Sequence, residues 1–194
     1  MSNPDKYQNK YRIKSARKEG YNYGQNGRYF VTIVTKDRKN HFGEIQNNVM
    51  QYSEIGQFAL KCWNEIPNHF PFVTLDEFVL MTNHVHGIIE IDKPPVATPI
   101  STVATQDLAS LHKIASLQTN DYKNKFGPQS KNLASIIRGF KIGITKFARQ
   151  NTKIHTVWQP RYHDRIIRNQ QEYIRIKKYI INNPLNWNKD KNNL

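Results

Sequence analysis

The sequence predicts an α+β domain: a ferredoxin-like antiparallel sheet with helices mainly on one face, plus a further helix at the C-terminal end. Three observations predict it. Runs rich in β-branched and aromatic residues occur at 28–38, 74–91 and 157–169. Apolar residues recur at helical spacing over 49–66, 133–150 and 170–182. The two kinds follow one another as strand, helix, strand, strand, helix, strand, helix, which is the split βαβ order. A length of 194 residues suits one domain with its own core. We read residues 1–20 as a basic N-terminal arm and 21–194 as a single domain with a flexible insertion at about 92–132.

The elements follow in order. The arm "MSNPDKYQNKYRIKSARKEG" is polar and carries Lys10, Arg12, Lys14, Arg17 and Lys18, with too few apolar anchors to pack. "RYFVTIVTKDR" is a strand, with Gly27 before it and a charged turn after it. Between Val49 and Ile66, the residues Met50, Ile55, Phe58, Ala59, Cys62 and Trp63 predict an amphipathic helix that Pro67 ends. "FVTLDEFVLMTNHVHGIIEI" then predicts a hairpin, with strands near 74–81 and 84–91 about Thr82 and Asn83. Residues 92–132 open with Pro94, Pro95 and Pro99 and turn polar, with a short helix expected around Leu108 to Leu117. "LASIIRGFKIGITKFARQ" puts Leu133, Ile136, Ile137, Phe140, Ile144 and Phe147 on one stripe, and Arg138, Lys141 and Arg149 on another, basic side. "VWQPRYHDRIIRN" is strand-like, and a last helix runs from about Gln170 to Asn182, closed by Pro184.

Charge narrows the partner. Twenty-nine Lys and Arg stand against 15 Asp and Glu, a formal charge of +14 and a pI near 9.9, which points to a polyanion and first to nucleic acid. Cys62 is the single cysteine, so no disulfide framework and no cysteine zinc site can form within the chain. The N-terminus has no apolar segment of the secretory kind, and no apolar run approaches a membrane span; a cytoplasmic protein is expected.

One stretch carries chemistry. In "FVLMTNHVHGIIEI", His84 and His86 interrupt an apolar strand. Residues i and i+2 of a strand share a face, so the two imidazoles stand side by side and can offer two nitrogens to one divalent metal. The same spacing also suits two histidines hydrogen-bonded to neighbours on a half-exposed strand. A metal needs a third ligand, and Glu90, on the same strand face, lies about 13 Å further along. The third ligand is expected from another element.

The pattern "MTNHVHGIIEI" resembles the HUH motif, histidine-hydrophobic-histidine on a central strand, of single-tyrosine HUH transposases of bacterial insertion sequences, including the REP-associated tyrosine transposases. "YFVTIVTKDRKNHFGEI", "LASIIRGFKIGITK", "VWQPRYHDRIIRN" and "YIINNP" match in the same order, together spanning about 11–187 and leaving the insertion uncovered. The resemblance implies a nucleophilic tyrosine on the C-terminal helix, which falls on Tyr179 in "KKYIINNP", and a polar metal ligand one turn later, which falls on Asn183. Helical spacing agrees, because i and i+4 share a face. Arg175, one turn earlier, is placed to touch a phosphate.

The resemblance further implies a metal-dependent enzyme of DNA transposition. A Mg²⁺ or Mn²⁺ ion held by His84, His86 and Asn183 would polarise the scissile phosphate of single-stranded DNA. Tyr179 would then form a 5′-phosphotyrosine intermediate and free a 3′-hydroxyl. One phosphodiester replaces another, so no nucleotide triphosphate is needed, in keeping with the lack of a P-loop motif. Single-stranded or hairpin DNA is the expected partner. Its phosphate contacts are expected from Arg12 and Lys14 in the arm, Arg138, Lys141 and Arg149 on the middle helix, and Arg161, Arg165, Arg168 and Arg175. Trp158 and Tyr162 are candidates for stacking on unpaired bases, and His163 for a DNA-side or hydrogen-bonding role. Monomer and homodimer both occur among such proteins and both stay open. So does an alternative function: a non-catalytic or domesticated nucleic-acid-binding module on the same fold.

Overall fold

The computed structural model describes residue 18 and residues 20–47, 49–95, 130–190 and 192–193. Its elements are β1 (Gly27–Val34), β2 (Gly43–Gln46), β3 (Val49–Tyr52), α1 (Glu54–Asn64), α2 (Ile66–His69), β4 (Val73–Leu80), β5 (His84–Ile91), α3 (Leu133–Asn151), β6 (His163–Ile167) and α4 (Gln170–Ile181). A 3-10 segment, Pro184–Lys189, follows α4. Four strands form one antiparallel sheet in the order β4-β5-β1-β6, the ferredoxin-like topology that the sequence predicts. The arm before residue 18, the 108–117 helix and most of the insertion lie outside the described residues.

Several boundaries differ from expectation. The helix expected from Val49 starts at Glu54, because Ser53 caps it: the Ser53 side chain accepts a hydrogen bond from the Gly56 amide. Upstream, Met50 and Tyr52 are half-buried while Val49 and Gln51 are exposed, a two-residue period, and β3 pairs with β2 in a separate two-stranded sheet. Pro67 does not end α1; it occupies the first turn of α2, where its missing N–H has no helical partner to lose. The strand expected across 157–169 is interrupted. Trp158 only bridges Thr35, and regular pairing begins at His163.

Register gives the sheet two unlike faces. Ile33 pairs Val85, Val31 pairs Gly87 and Tyr29 pairs Ile89, and this first face is covered by α1 and α3. Val31, Ile33, Val85 and Ile89 join Trp63, Ile136, Ile137 and Phe140 in one buried core. The Trp63 ring lies so close to β5 that a Cβ at Gly87 would stand 2.4 Å from it. On the second face Val34 pairs His84, Thr32 pairs His86, Phe30 pairs Ile88 and Arg28 pairs Glu90. There α4 lays Ile176 and Ile180 on Ile88, flanked by Phe30, Val79, Ile167 and Tyr173.

A β-bulge anchors α4. Pairing of β4 with β5 is interrupted between Leu75 and Phe78, and Asp76 and Glu77, inside that interval, both meet α4. Tyr173 Oη donates to Asp76 Oδ2 at 2.5 Å and Lys177 Nζ to Asp76 Oδ1 at 2.9 Å, with Glu77 3.7 Å from the same ammonium. Among the described residues no helix is long and apolar enough to cross a membrane.

Candidate active site

The two histidines open β5 on the second face and are buried, at 0% and 1% exposure. Their protonation follows from their partners. Asn83 Nδ2 donates to the carbonyls of Arg38 (3.0 Å) and Asn192 (2.8 Å), which can only accept, so the amide oxygen is the atom facing His84 Nδ1 at 2.9 Å. An oxygen there requires a proton on Nδ1. In the neutral imidazole, His84 Nε2 then carries the lone pair, and it faces Asp190. His86 Nδ1 meets Thr32 Oγ1 at 2.8 Å, leaving its Nε2 on the same side. Outward hydrogen bonds of this kind orient imidazoles for metal ligation. The two rings stand edge to face, with centroids 4.6 Å apart.

Four further residues converge from the C-terminal segment. The Tyr179 phenol lies 3.1 Å from His86 Nε2, and Phe30 stacks on the opposite neighbour, the His86 ring, at 5.4 Å. Asn183 is two residues past the end of α4, but its helical backbone (φ −61°, ψ −44°) keeps the i+4 relation to Tyr179. Its side chain is 3% exposed, and its Oδ1 is buried with no hydrogen-bond partner among the described residues. Asp190, whose side chain is 5% exposed, brings Oδ2 to 3.8 Å from His84 Nε2, while Trp187 stacks on the His84 ring at 6.1 Å. The candidate ligand atoms of His84, His86 and Asp190 all lie within 4.8 Å of one another.

Two imidazole nitrogens, one carboxylate and a nearby orphaned amide oxygen make a donor set of the kind that holds a divalent cation, and the two oxygens cannot donate hydrogen bonds to one another. Burial pushes the Tyr179 phenol above its usual range, and the Asp190 charge pushes it further; a hydrogen bond with Asn183 opposes them. A positive charge at the centre would act against both. The cleft around Tyr179 encloses about 670 Å³ and adds Arg175, Lys178 and Lys189 to its walls.

The other expected DNA contacts are spread over the molecule. Arg165 shares the second face, paired opposite Phe30, and its guanidinium binds Glu172 at 2.5 Å. The Arg168 amide donates to the same carboxylate at 3.0 Å. Lys141 and Arg149 lie on α3 beyond the first face, along a groove of about 830 Å³ that Arg138 also lines. Both are engaged with the following loop: Lys141 Nζ donates to the carbonyls of Gln159 (2.5 Å) and Arg161 (3.4 Å), and Arg149 Nε to that of His155 (2.8 Å). Glu90 is bound to Arg28 at 3.0 Å, away from the histidines. Trp158 is core, 6% exposed, with its indole N–H on the Lys141 carbonyl. Arg12 and Lys14 lie outside the described residues. Sequence reasoning missed Asp190, Trp187, Asn83 and Thr32. Only Asn83, next to His84 in a predicted turn, carried a usable signal.

No family model matches the chain. An uncharacterized protein of Haemophilus influenzae is 41% identical over 180 residues, covering 91% of each chain. Among solved structures, a REP-associated tyrosine transposase bound to a REP hairpin is similar in fold, with a TM-score of 0.57 and 16% identity, covering 92% of this chain and 77% of that one.

Proposed function

The chain belongs to one family with the Haemophilus influenzae protein, and from that premise, its fold and its cleft, we propose a metal-dependent transposase and endonuclease of single-stranded DNA. The observation that carries this reading is the convergence of Tyr179, at 3.1 Å from His86, with three metal-ligand atoms lying within 4.8 Å of one another. Hairpin DNA is the substrate class we assign, in keeping with the charge of +14 and with the hairpin held by the structural neighbour.

His84, His86 and Asp190, with Asn183, would hold the ion. A mixed nitrogen and oxygen set favours Mn²⁺, and Mg²⁺ less strongly. When bound, the ion would stabilise charge on a non-bridging oxygen of the scissile phosphate. The chain's own residues do the rest. Arg175, Lys178 and Lys189 draw the phosphate into the cleft, where the ring of Phe30 supports His86 from behind. The bond between Tyr179 Oη and phosphorus forms as the bond from phosphorus to the 3′ oxygen breaks. The proton lost by the phenol is matched by one gained at the 3′-hydroxyl. Reversal with a different 3′-hydroxyl rejoins strands.

The test is a labelled hairpin carrying a single-stranded tail, incubated with Mn²⁺ or Mg²⁺. A protein–DNA adduct that survives denaturation is expected, and Tyr179→Phe should abolish it. An adduct that persists in Tyr179→Phe would assign the nucleophile elsewhere. No adduct across varied hairpins, with binding intact, would favour the non-catalytic module.

A further inference from the structure

A second, smaller pocket opens one residue across the sheet from the catalytic cleft. It encloses about 210 Å³ and is lined by Thr32, Val34, Arg38, Gln159, His163 and Asn192. Thr32 is the shared wall: it holds His86 Nδ1 on one side, and its strand partner on the other side is His163. Adjacent strands place such side chains about 5 Å apart, so the row His86, Thr32, His163 extends the cleft by roughly one nucleotide.

Three features mark the pocket as built for a ligand. Asn192 is 3% exposed, its backbone is fixed through Asn83 and Asp190, and its Nδ2 is buried without a partner among the described residues. Arg38 has a left-handed backbone (φ 52°) directly after Asp37 (φ 55°), a rare conformation for two successive residues other than glycine. That conformation is held by Asn83, whose amide binds the Arg38 carbonyl and orients His84 at the same time. The donors here are planar groups on Arg38, Gln159 and Asn192 beside buried, apolar Val34. Cationic side chains stand on the other side, at Arg175, Lys178 and Lys189 in the wall of the Tyr179 cleft.

We propose that this pocket receives the single nucleobase flanking the scissile phosphate, and that Arg38 reads it as guanine through its paired N7 and O6 acceptors. The inference rests on the proposed reading of the Tyr179 cleft as the cleavage site. A guanidinium fork matches those two acceptors, while an amide donor and an apolar floor suit a base turned out of the strand. The pocket thereby makes cleavage position a property of the protein as well as of the hairpin.

The experiment uses the full chain carrying Tyr179→Phe, so that binding is read without turnover. It is incubated with hairpin DNA bearing a randomised single-stranded tail, and the bound fraction is sequenced. One tail position should be enriched in guanine by about tenfold. Adding Arg38→Lys, which keeps the charge but loses the fork, should remove that enrichment while total affinity changes by less than about threefold. Asn192→Ala should reduce it, and an unchanged melting temperature excludes misfolding. A tail with no enriched position, or an enrichment that survives both changes, overturns the proposal. Equal weakening for all bases in Arg38→Lys makes Arg38 a phosphate contact and overturns it too. Adduct formation by the unsubstituted protein separates the two readings: adduct without base preference sinks only the subsite, and base preference without adduct sinks only the chemistry.

Discussion

The two faces of the four-stranded sheet are made by the same strands and do opposite things. On the first face β5 presents Val85, Gly87, Ile89 and Ile91, fully or almost fully buried under α1 and α3. On the second it presents His84, His86, Ile88 and Glu90, and of these only Ile88 belongs to an apolar cluster. The pleat lets one strand face the core and the candidate site at once, since a two-residue period sends the two sets of side chains apart. The first face is dense and apolar. The second is polar and held by named hydrogen bonds, with acceptors aimed at one point. Stability and function should therefore be separable by substitution on alternate positions.

The largest expected effect tests that separation. Trp63→Ala on the first face should destabilise by about 3–5 kcal/mol, the usual range for emptying a large buried aromatic site. For a chain of this length each kcal/mol moves the melting temperature by about 2–4 °C, so a fall of roughly ten degrees is expected by circular dichroism. Gly87→Ala should act in the same direction, because its Cβ would meet the Trp63 ring at 2.4 Å. Tyr179→Phe, at a position 44% exposed, should leave the transition within about a degree. A Tyr179→Phe protein that melts as early as Trp63→Ala would break the comparison.

The two faces were not equally legible in the sequence. The alternation in β1 and β5, the capped stripe of α3 and the order of elements carry their own periods, and the topology follows from them. β2 and β3 escaped because four-residue strands give two turns of a period at most, and Met50 also fits a helical frame with Ile55 and Phe58. His84 and His86 were visible through i, i+2 spacing, and Tyr179 with Asn183 through i, i+4 spacing that outlasts the helix. Asp190 was not, since "NWNKDKNN" has no periodicity to place it and its position depends on how the chain turns after Pro184. Asp76 was hidden as well: a lone carboxylate in a strand gives no sign of a partner on a helix 97 residues further along the chain.

Asp76 supplies the next effect in size, because it joins the two faces' concerns: it is a structural contact on the helix that bears Tyr179. Its carboxyl is pushed up by burial, but hydrogen bonds from Tyr173 and Lys177 outweigh this and hold it below the usual carboxylate range. A lowered acid adds stability above its unfolded pKa, and that stability is lost as pH falls through the folded value. Asp76→Asn should therefore weaken the protein at pH 7 by about 1 kcal/mol, and the difference should shrink as pH falls below the ordinary carboxylate range. Adduct formation at pH 7 should fall about tenfold, with Mn²⁺ affinity by calorimetry unchanged, since no candidate metal ligand is touched. Lost Mn²⁺ affinity would place Asp76 in the same unit as the histidines and blur the distinction.

The smallest effect sharpens the comparison from the other side, by asking what a charge does beside the apolar face. Lys141 extends from α3 to the carbonyls of Gln159 and Arg161, and burial lowers its ammonium from the ordinary range to about 8. An unfolded lysine titrates near 10.4. Between those two values the unfolded chain holds one proton more than the folded chain, so stability must rise with pH across the window; below about 8 both forms are charged and the full cost of burial applies. Lys141→Met removes the titration. Urea unfolding at pH 7.5, 9 and 10 should show the difference between the unsubstituted protein and Lys141→Met growing in favour of lysine as pH rises, whatever its value at pH 7.5. Parallel profiles would mean that the ammonium keeps its water in solution. A growing difference makes Lys141 a clamp on the loop that leads into β6, and limits the charge it has to offer DNA at the upper end of the physiological range.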